Sequence, residues 1–416
     1  MQFDEAVQYL LGLGHETLAI KLGLRNTELL LAALDNPERA YTVVQLAGTN
    51  GKGSTAAMLD SICRVAGIKT GLYTSPHLVS ITERIRLSGS DITPADFARH
   101  ATTVRAVADD LVARREIEAL PTFFEHVTAI ALLAFREAGV AVAILETGLG
   151  GRLDSTTAAG ASIVGITQIA MDHEEYLGST LTSIASEKAA VIRPGVTAVI
   201  GKQSPEALAV LLKRCEAVGV QPSLEPQRDF AEKISLSLRG AHQIENASIA
   251  VRLAKALSEH GFSISADQIG LGLAAATHAG RLELIPPFLL DGAHNPAGAQ
   301  ALRNYLDEFR GPRPLTLVFG AMSDKRLDQL AEILFPVADR LVLTPVQNPR
   351  SASVKTLAPL AKQFARGTVI ETTSSAEAVR TAIAQTPKDG LICVTGSLYL
   401  IGEVRPMILK LTEEPG

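Results

Sequence analysis

Val43-Val44-Gln45-Leu46-Ala47-Gly48-Thr49-Asn50-Gly51-Lys52-Gly53-Ser54-Thr55 is the stretch from which the rest of the chain is read. Its apolar start, Val43 to Ala47, has the β-branched content of a buried parallel strand. Gly48, Gly51 and Gly53 crowd around Lys52, and from Ser54 a helical pattern runs through Met58, Ile62 and Val65. Strand, glycine loop and helix in that order form a phosphate cradle. Glycines let backbone N–H groups face inward, the helix N-terminus adds positive dipole, and the lysine reaches the outer phosphates. The stretch departs from the standard phosphate loop in two ways: Leu46 stands where that pattern has its first glycine, and Gly53 separates Lys52 from the hydroxyl of Ser54. By itself the stretch favours a phosphate site over a plain glycine-rich strand-to-helix turn, and its surroundings must strengthen that reading.

Working outward, short apolar runs alternate with helical patterns. Strands are expected at Thr70–Tyr73, Val140–Leu145, Ile163–Thr167 and Val196–Ile200, with helices over 94–115, from Pro121 to about Ala138, and over Leu181–Ile192. This alternation predicts a mostly parallel sheet covered on both faces. At 416 residues the chain is too long for one ordinary core. Pro286 and Pro287 stop a helical region, and beyond them the alternation restarts without a second phosphate loop. The expected fold is therefore α/β, a phosphate-loop domain over 1–284 and a smaller Rossmann-like domain over 288–416.

Composition narrows the function. Apolar residues make up 47% and charged residues 20%, and the net charge of −5 argues against a large nucleic-acid footprint. Cys63, Cys215 and Cys393 show no C-x-x-C spacing, so neither a disulfide framework nor a zinc ribbon is suggested. Neither a signal peptide nor a membrane-length apolar run is read, and the expected location is cytoplasmic. No G-x-S-x-G elbow or H-E-x-x-H motif supports a hydrolase or zincin.

Ligands of open parallel sheets sit beyond the carboxyl ends of strands. Besides the cradle, three such ends carry chemistry: Thr74-Ser75, Glu146 and Asp172-His173. Taken singly, Glu146 reads as a solvated loop acid and His173 as an ordinary hydrogen-bonded histidine. Together they suit a magnesium ion bound beside a triphosphate, because magnesium takes oxygen ligands and keeps waters. Lys188, in Ser186-Glu187-Lys188-Ala189, reads as one half of an exposed pair on an alanine-rich helix.

Across nearly its whole length the chain resembles the folylpolyglutamate synthase/dihydrofolate synthase family, the folate branch of the Mur ligases. The resemblance is carried, in order, by Gly48-Thr49-Asn50-Gly51-Lys52-Gly53-Ser54, Tyr73-Thr74-Ser75-Pro76-His77, Thr122-Phe123-Phe124-Glu125, Glu146 to Asp154, Asp172-His173, Glu187-Lys188-Ala189, Gly280-Arg281 and Asp291-Gly292-Ala293-His294-Asn295-Pro296. It implies an ATP-dependent amide ligase joining L-glutamate to dihydropteroate or a reduced folate through an acyl phosphate. It further implies that Thr49, Asn50, Gly51, Lys52, Gly53 and Ser54 hold ATP phosphates, with Asn246, Arg281 and Asp291 as further nucleotide contacts. Ser75, Glu146 and His173 would ligate one or two magnesium ions, joined by Lys188 as a carboxylated lysine. Lys21, Leu22, Gly23, Leu24, Thr122, Phe123, Phe124, Glu125, Leu153, Asp154 and Ser155 would form the pteroate pocket, and His294 would face the acyl phosphate. Family members are commonly monomers. Thr147 stands in place of a common valine, Ser155-Thr156-Thr157 in place of Ala-Thr-Asn, and Ala190 in place of a glycine. Two other readings stay open: a Mur-type ligase acting on a non-folate acceptor, and a non-catalytic nucleotide-binding switch.

Overall fold

A computed structural model describes residues 1–14, 23–224 and 235–413. The chain divides into two compact units, Met1–Ser237 with Ile244–Thr277, and Leu238–Gln243 with His278–Gly416.

The first unit opens with helices α1 (Phe3–Gly12) and α2 (Arg25–Ala33). Strand β1 (Thr42–Ala47) then leads through the glycine loop into α3 (Lys52–Val65) and β2 (Thr70–Tyr73). An antiparallel ribbon, β3 (Ile85–Leu87) and β4 (Ser90–Asp91), extends the edge beside β2. Helices α4 (Pro94–Ala113) and α5 (Phe123–Ala138) precede β5 (Val142–Glu146) and β6 (Ile163–Ile166). The single turn α6 (Glu174–Leu177), α7 (Leu181–Ala189), β7 (Thr197–Ile200), α8 (Pro205–Ala217), α9 (His242–Glu259) and α10 (Ala266–Ala275) follow.

The seven strands lie in the order β4-β3-β2-β5-β1-β6-β7. Strand β1 is central, parallel to β5 on one side and β6 on the other. The sequence order β1, β2 is thus split in space by β5, which opens a crevice at the carboxyl end of β1. Residues 94–113, 163–166 and 197–200 fall close to the ranges read from periodicity. Ahead of β3 the chain makes a 3-10 turn (Ile81–Arg84) that runs directly into the strand.

Aromatic packing closes the core behind this sheet. Phe135 is fully buried, meets Tyr41 edge-to-face at 6.2 Å, and lies over Gly71, where an added methyl would come within 2.4 Å of the ring. Phe135→Ala is expected to destabilise the first unit by about 3–5 kcal/mol, read from the urea midpoint. Close helix approach follows the same logic: a methyl on Gly272 of α10 would fall 2.5 Å from the Ile62 Cα of α3.

The second unit contains β8 (Glu283–Ile285), β9 (Phe288–Leu290), α11 (Pro296–Phe309), β10 (Leu315–Phe319), α12 (Leu327–Leu334) and β11 (Arg340–Leu343). It continues with α13 (Val354–Phe364), β12 (Thr368–Glu371), α14 (Ser375–Gln385), β13 (Leu391–Thr395) and α15 (Leu398–Glu413). The strand order is β12-β11-β10-β13-β9-β8, all parallel except the β8–β9 hairpin. This corrects the expected boundary. Pro286-Pro287 is the turn of that hairpin, its flanks being registered as Ile285 with Phe288 and Leu284 with Leu289. Two prolines suit a tight turn as well as a linker, and the apolar residues on both sides decide for the turn. Among the described residues no helix is long and apolar enough to cross a membrane.

Candidate functional site

The glycine loop is built by two left-handed glycines. Gly48 has φ 148° and Gly51 has φ 91°; a methyl on Gly51 would lie 2.2 Å from the Asn246 Oδ1 of α9. Asn246 therefore lies directly against the loop. The N–H groups of Thr49 and Asn50 both donate to the carbonyl of Gln168, at 2.8 and 3.2 Å. Those two amides are thus committed to the neighbouring loop. The loop leads straight into the first turn of α3, and the N–H groups of a first helical turn have no acceptors within the helix.

Thr49 ties the same neighbouring loop in place. Its Oγ1 donates to the Ala170 carbonyl and accepts from the Ala170 N–H, each at 3.0 Å. This stitch brings the residues following β6 to the cradle. His173 there adopts a left-handed conformation (φ 51°), its N–H donates to Asp172 Oδ1, and its Nε2 lies 4.0 Å from Asp172 Oδ2. On the other side of β1, the buried Glu146 at the end of β5 accepts from the Ser75 N–H at 3.3 Å.

Two lysines meet at one backbone oxygen. Lys52 Nζ donates to the carbonyls of Gly48 and Thr49 at 3.1 and 3.2 Å, while Lys188 Nζ reaches the same Gly48 carbonyl at 2.8 Å. Lys188 is only 4% exposed, so the exposed pair expected from its helix does not form. Glu187 instead pairs with Arg152 at 3.0 Å. Burial, and then the charge of Lys52, push the Lys188 amine down to about 7 against the pull of Asp172 and Asp154. A neutral amine beside a phosphate cradle is poised for chemistry that an ammonium cannot do.

A divalent ion was tested against these residues. Among the described residues no group of three or more His, Cys, Asp or Glu side chains forms a metal cluster. The three donors assigned to it from sequence are one carboxylate, one serine hydroxyl and one imidazole. Such a set fits a hard cation that takes its remaining oxygens from phosphate and water, and does not fit a closed structural site.

The predicted pteroate residues gather around the start of α5, with two departures in role. Thr122 caps α5 and Glu125 completes a capping box: the Thr122 N–H donates to Glu125 Oε2 at 2.7 Å, and Thr27 Oγ1 donates to Glu125 Oε1 at 3.1 Å. Both carboxylate oxygens of Glu125 thus shape the segment. Asp154, fully buried and with its pKa raised by that burial, accepts from the Leu149 and Thr156 N–H groups and fixes the loop after β5. Phe124 lies over that loop, its Cζ 2.5 Å from where a Gly148 methyl would sit, and its ring centre is 5.9 Å from that of Tyr73. Phe123 is buried under Arg84, whose guanidinium is 5.3 Å from the ring centre. Ser155 bonds Thr128 at 2.6 Å, and Thr156 and Thr157 accept from Gln45 Nε2 on β1 at 3.0 and 2.8 Å. Leu153 is half-buried beside them, Leu24 caps α2, and Gly23 precedes it. Lys21 and Leu22 lie outside the described residues.

In the second unit, Asp291 is buried just after the end of β9 and accepts from the Leu282 and Ala293 N–H groups at 2.9 and 3.0 Å. Burial raises its pKa, opposed by Arg281. Arg281 Nη1 would stand 3.6 Å from a Gly292 methyl, which sets it against the same loop. His294 Nδ1 is 2.8 Å from the Gly292 carbonyl, which can only accept, so that nitrogen is the donor. Sequence reading missed a cationic group at neighbouring strand ends. Asp324 lies 3.7 Å from Lys325 and 3.5 Å from Arg350, and Arg350 stands 5.9 Å from the Tyr399 ring centre. Their signal was positional: each follows the carboxyl end of β10, β11 or β13.

Known proteins were then compared. Residues 280–398 match the family model described as Mur ligase, glutamate ligase domain. A "Probable bifunctional folylpolyglutamate synthase/dihydropteroate synthase" of Halobacterium salinarum is 35% identical over 97% of this chain, which spans 51% of that longer protein. The dihydrofolate synthase/folylpolyglutamate synthase of Bacillus subtilis is 32% identical over 94% of this chain and 96% of its own length. The structure of a bifunctional folylpolyglutamate synthase/dihydrofolate synthase from Yersinia pestis, complexed with AMPPNP and Mn, superposes with a TM-score of 0.85 at 28% identity and covers 98% of both chains. With identity above 30% to relatives matched over almost the whole of both chains, this protein belongs to the dihydrofolate synthase/folylpolyglutamate synthase family.

Proposed function

We propose that the protein is an ATP-dependent ligase that adds L-glutamate to dihydropteroate, to the γ-carboxylate of a reduced folate, or to both. The observation that carries this reading is the convergence of Lys52 and Lys188 on the Gly48 carbonyl, with Glu146 and Ser75 joined at the adjacent strand end. A carboxylate is a poor electrophile. Its oxygen attacks the γ-phosphorus, the bond to ADP breaks, and an acyl phosphate forms; the glutamate amine then attacks the acyl carbon and phosphate leaves. Two anions have to approach each other in the first step. Lys52 and the amides at the start of α3 neutralise that charge, and they are set in place before the reaction begins.

Ser75, Glu146 and His173 are the residues we assign to magnesium, which when bound would offset further phosphate charge. We assign Lys188 as the site of carboxylation, because only an uncharged amine adds to carbon dioxide. Thr122 to Phe124, with the loop over Leu153 to Ser155, receives the pterin, and Phe124 offers a face for stacking. For the dicarboxylate amine donor we assign Lys325 and Arg350.

The test is a product assay by mass with dihydropteroate and tetrahydrofolate offered as separate acceptors. Phosphate release is expected only when acceptor and glutamate are both present, with a product heavier by one glutamyl group. Phosphate release that ignores the acceptor overturns the reading.

A further inference from the structure

The start of α5 is held by a buried polar chain that the reaction does not use directly. His126 is fully buried one turn into α5. Its Nδ1 lies 3.2 Å from the Thr122 carbonyl, and its Nε2 lies 3.1 Å from the Tyr9 hydroxyl of α1. A carbonyl can only accept, so Nδ1 carries the proton; Nε2 is then the acceptor and the Tyr9 hydroxyl the donor. The two rings also pack edge-to-face at 5.6 Å. Arg105 of α4 lies 4.5 Å from the Tyr9 ring centre and 3.5 Å from Asp109. Thr122 is therefore held at three atoms: N–H and Oγ1 through Glu125, carbonyl through His126.

We infer that Tyr9 and His126 are positioning residues for the acceptor substrate, holding Thr122 to Phe124 in the binding arrangement only while His126 is neutral. The inference rests on the assignment of that segment to the acceptor. The groups facing His126 are Tyr9 from α1 and Asp109 from α4; Arg105 acts on Tyr9. Burial lowers the His126 pKa from its usual 6.5, and the hydrogen bonds to the Thr122 and Pro121 backbone, with Asp109, oppose this only in part. The sign follows. A released imidazole titrates near 6.5 and the held one below it, so the held arrangement is fully favoured above 6.5 and loses ground as pH falls through that value.

The test measures KM for the pterin acceptor and for ATP between pH 8 and 5.5, well below the melting temperature. In the unmodified protein the acceptor KM should rise several-fold toward acid, on top of any change in ATP KM. Tyr9→Phe keeps the ring and the Arg105 contact but removes the donor. It should raise acceptor KM about three- to tenfold at pH 8, the loss of one buried hydrogen bond, with kcat and ATP KM within about twofold. His126→Asn cannot gain a proton and should remove the acid rise. A pH-independent acceptor KM overturns the inference. So does an acid rise that persists in His126→Asn, or a Tyr9→Phe variant whose only change is a lower melting temperature. If the unmodified protein glutamylates no pterin acceptor, the functional reading itself has failed.

Discussion

Lys52→Ala should lower turnover by on the order of 10²–10³-fold and weaken nucleotide binding, read by phosphate release and by calorimetric titration with ATP. The Lys52 amine is held within the glycine loop, 3.1 Å from the Gly48 carbonyl. Its removal takes away a preorganised charge that becomes more valuable as negative charge gathers on the transferring group. The fold should survive, since Lys52 is half-buried and its bonds are to carbonyls of its own loop. A second consequence distinguishes this site from a simple phosphate hook. Lys52 helps to keep Lys188 from protonating, so its loss raises the Lys188 pKa and leaves less neutral amine near pH 7. A Lys52→Ala protein that still glutamylates its acceptor at an undiminished rate would remove the cradle from the mechanism.

Lys188→Ala should cost about 10²-fold in turnover, and short carboxylic acids such as acetate or propionate should restore part of it. The reasoning is chemical. In the proposed carboxylation a neutral ε-amine adds to carbon dioxide, becomes a carbamate and releases a proton, which places an anion at a site that already holds Lys52. An added carboxylate in the space left by the side chain supplies the same charge. Lys188→Arg offers no such space and keeps a positive charge at every working pH, so it should stay inactive with or without the acid. Rescue of alanine but not arginine identifies a missing anion. An arginine variant that stays well above alanine without added acid would show instead that Lys188 serves only to brace the Gly48 carbonyl, 2.8 Å from its amine.

Much of this site was legible before any coordinates, and the reason is local. The cradle, its helix and the polar residues at strand ends occupy short stretches whose glycines, prolines and β-branched runs have few conformations to choose from. Glu146 and Ser75 could be paired in advance because a parallel sheet aligns its carboxyl ends. The Glu125 and Asp154 carboxylates were harder. A capping box was readable in Thr122-x-x-Glu125, but the second claim on Glu125, from Thr27, comes from another helix. Pro286-Pro287 misled because a proline pair stiffens a linker and a hairpin alike, and only the pairing of Leu284 with Leu289 separates them.

The chain alone thus determined an alternating α/β architecture, a phosphate-binding turn and its family motifs, since each depends on residues within a few positions of one another. Tertiary structure decided the states of the side chains. On an alanine-rich helix, Lys188 and Glu187 are indistinguishable by periodicity. Only the packing of α7, which sets Lys188 against a carbonyl 140 residues away while Glu187 meets Arg152, makes one a buried amine and the other half of a surface ion pair. Burial and charge proximity are properties of the assembled neighbours, and they govern protonation.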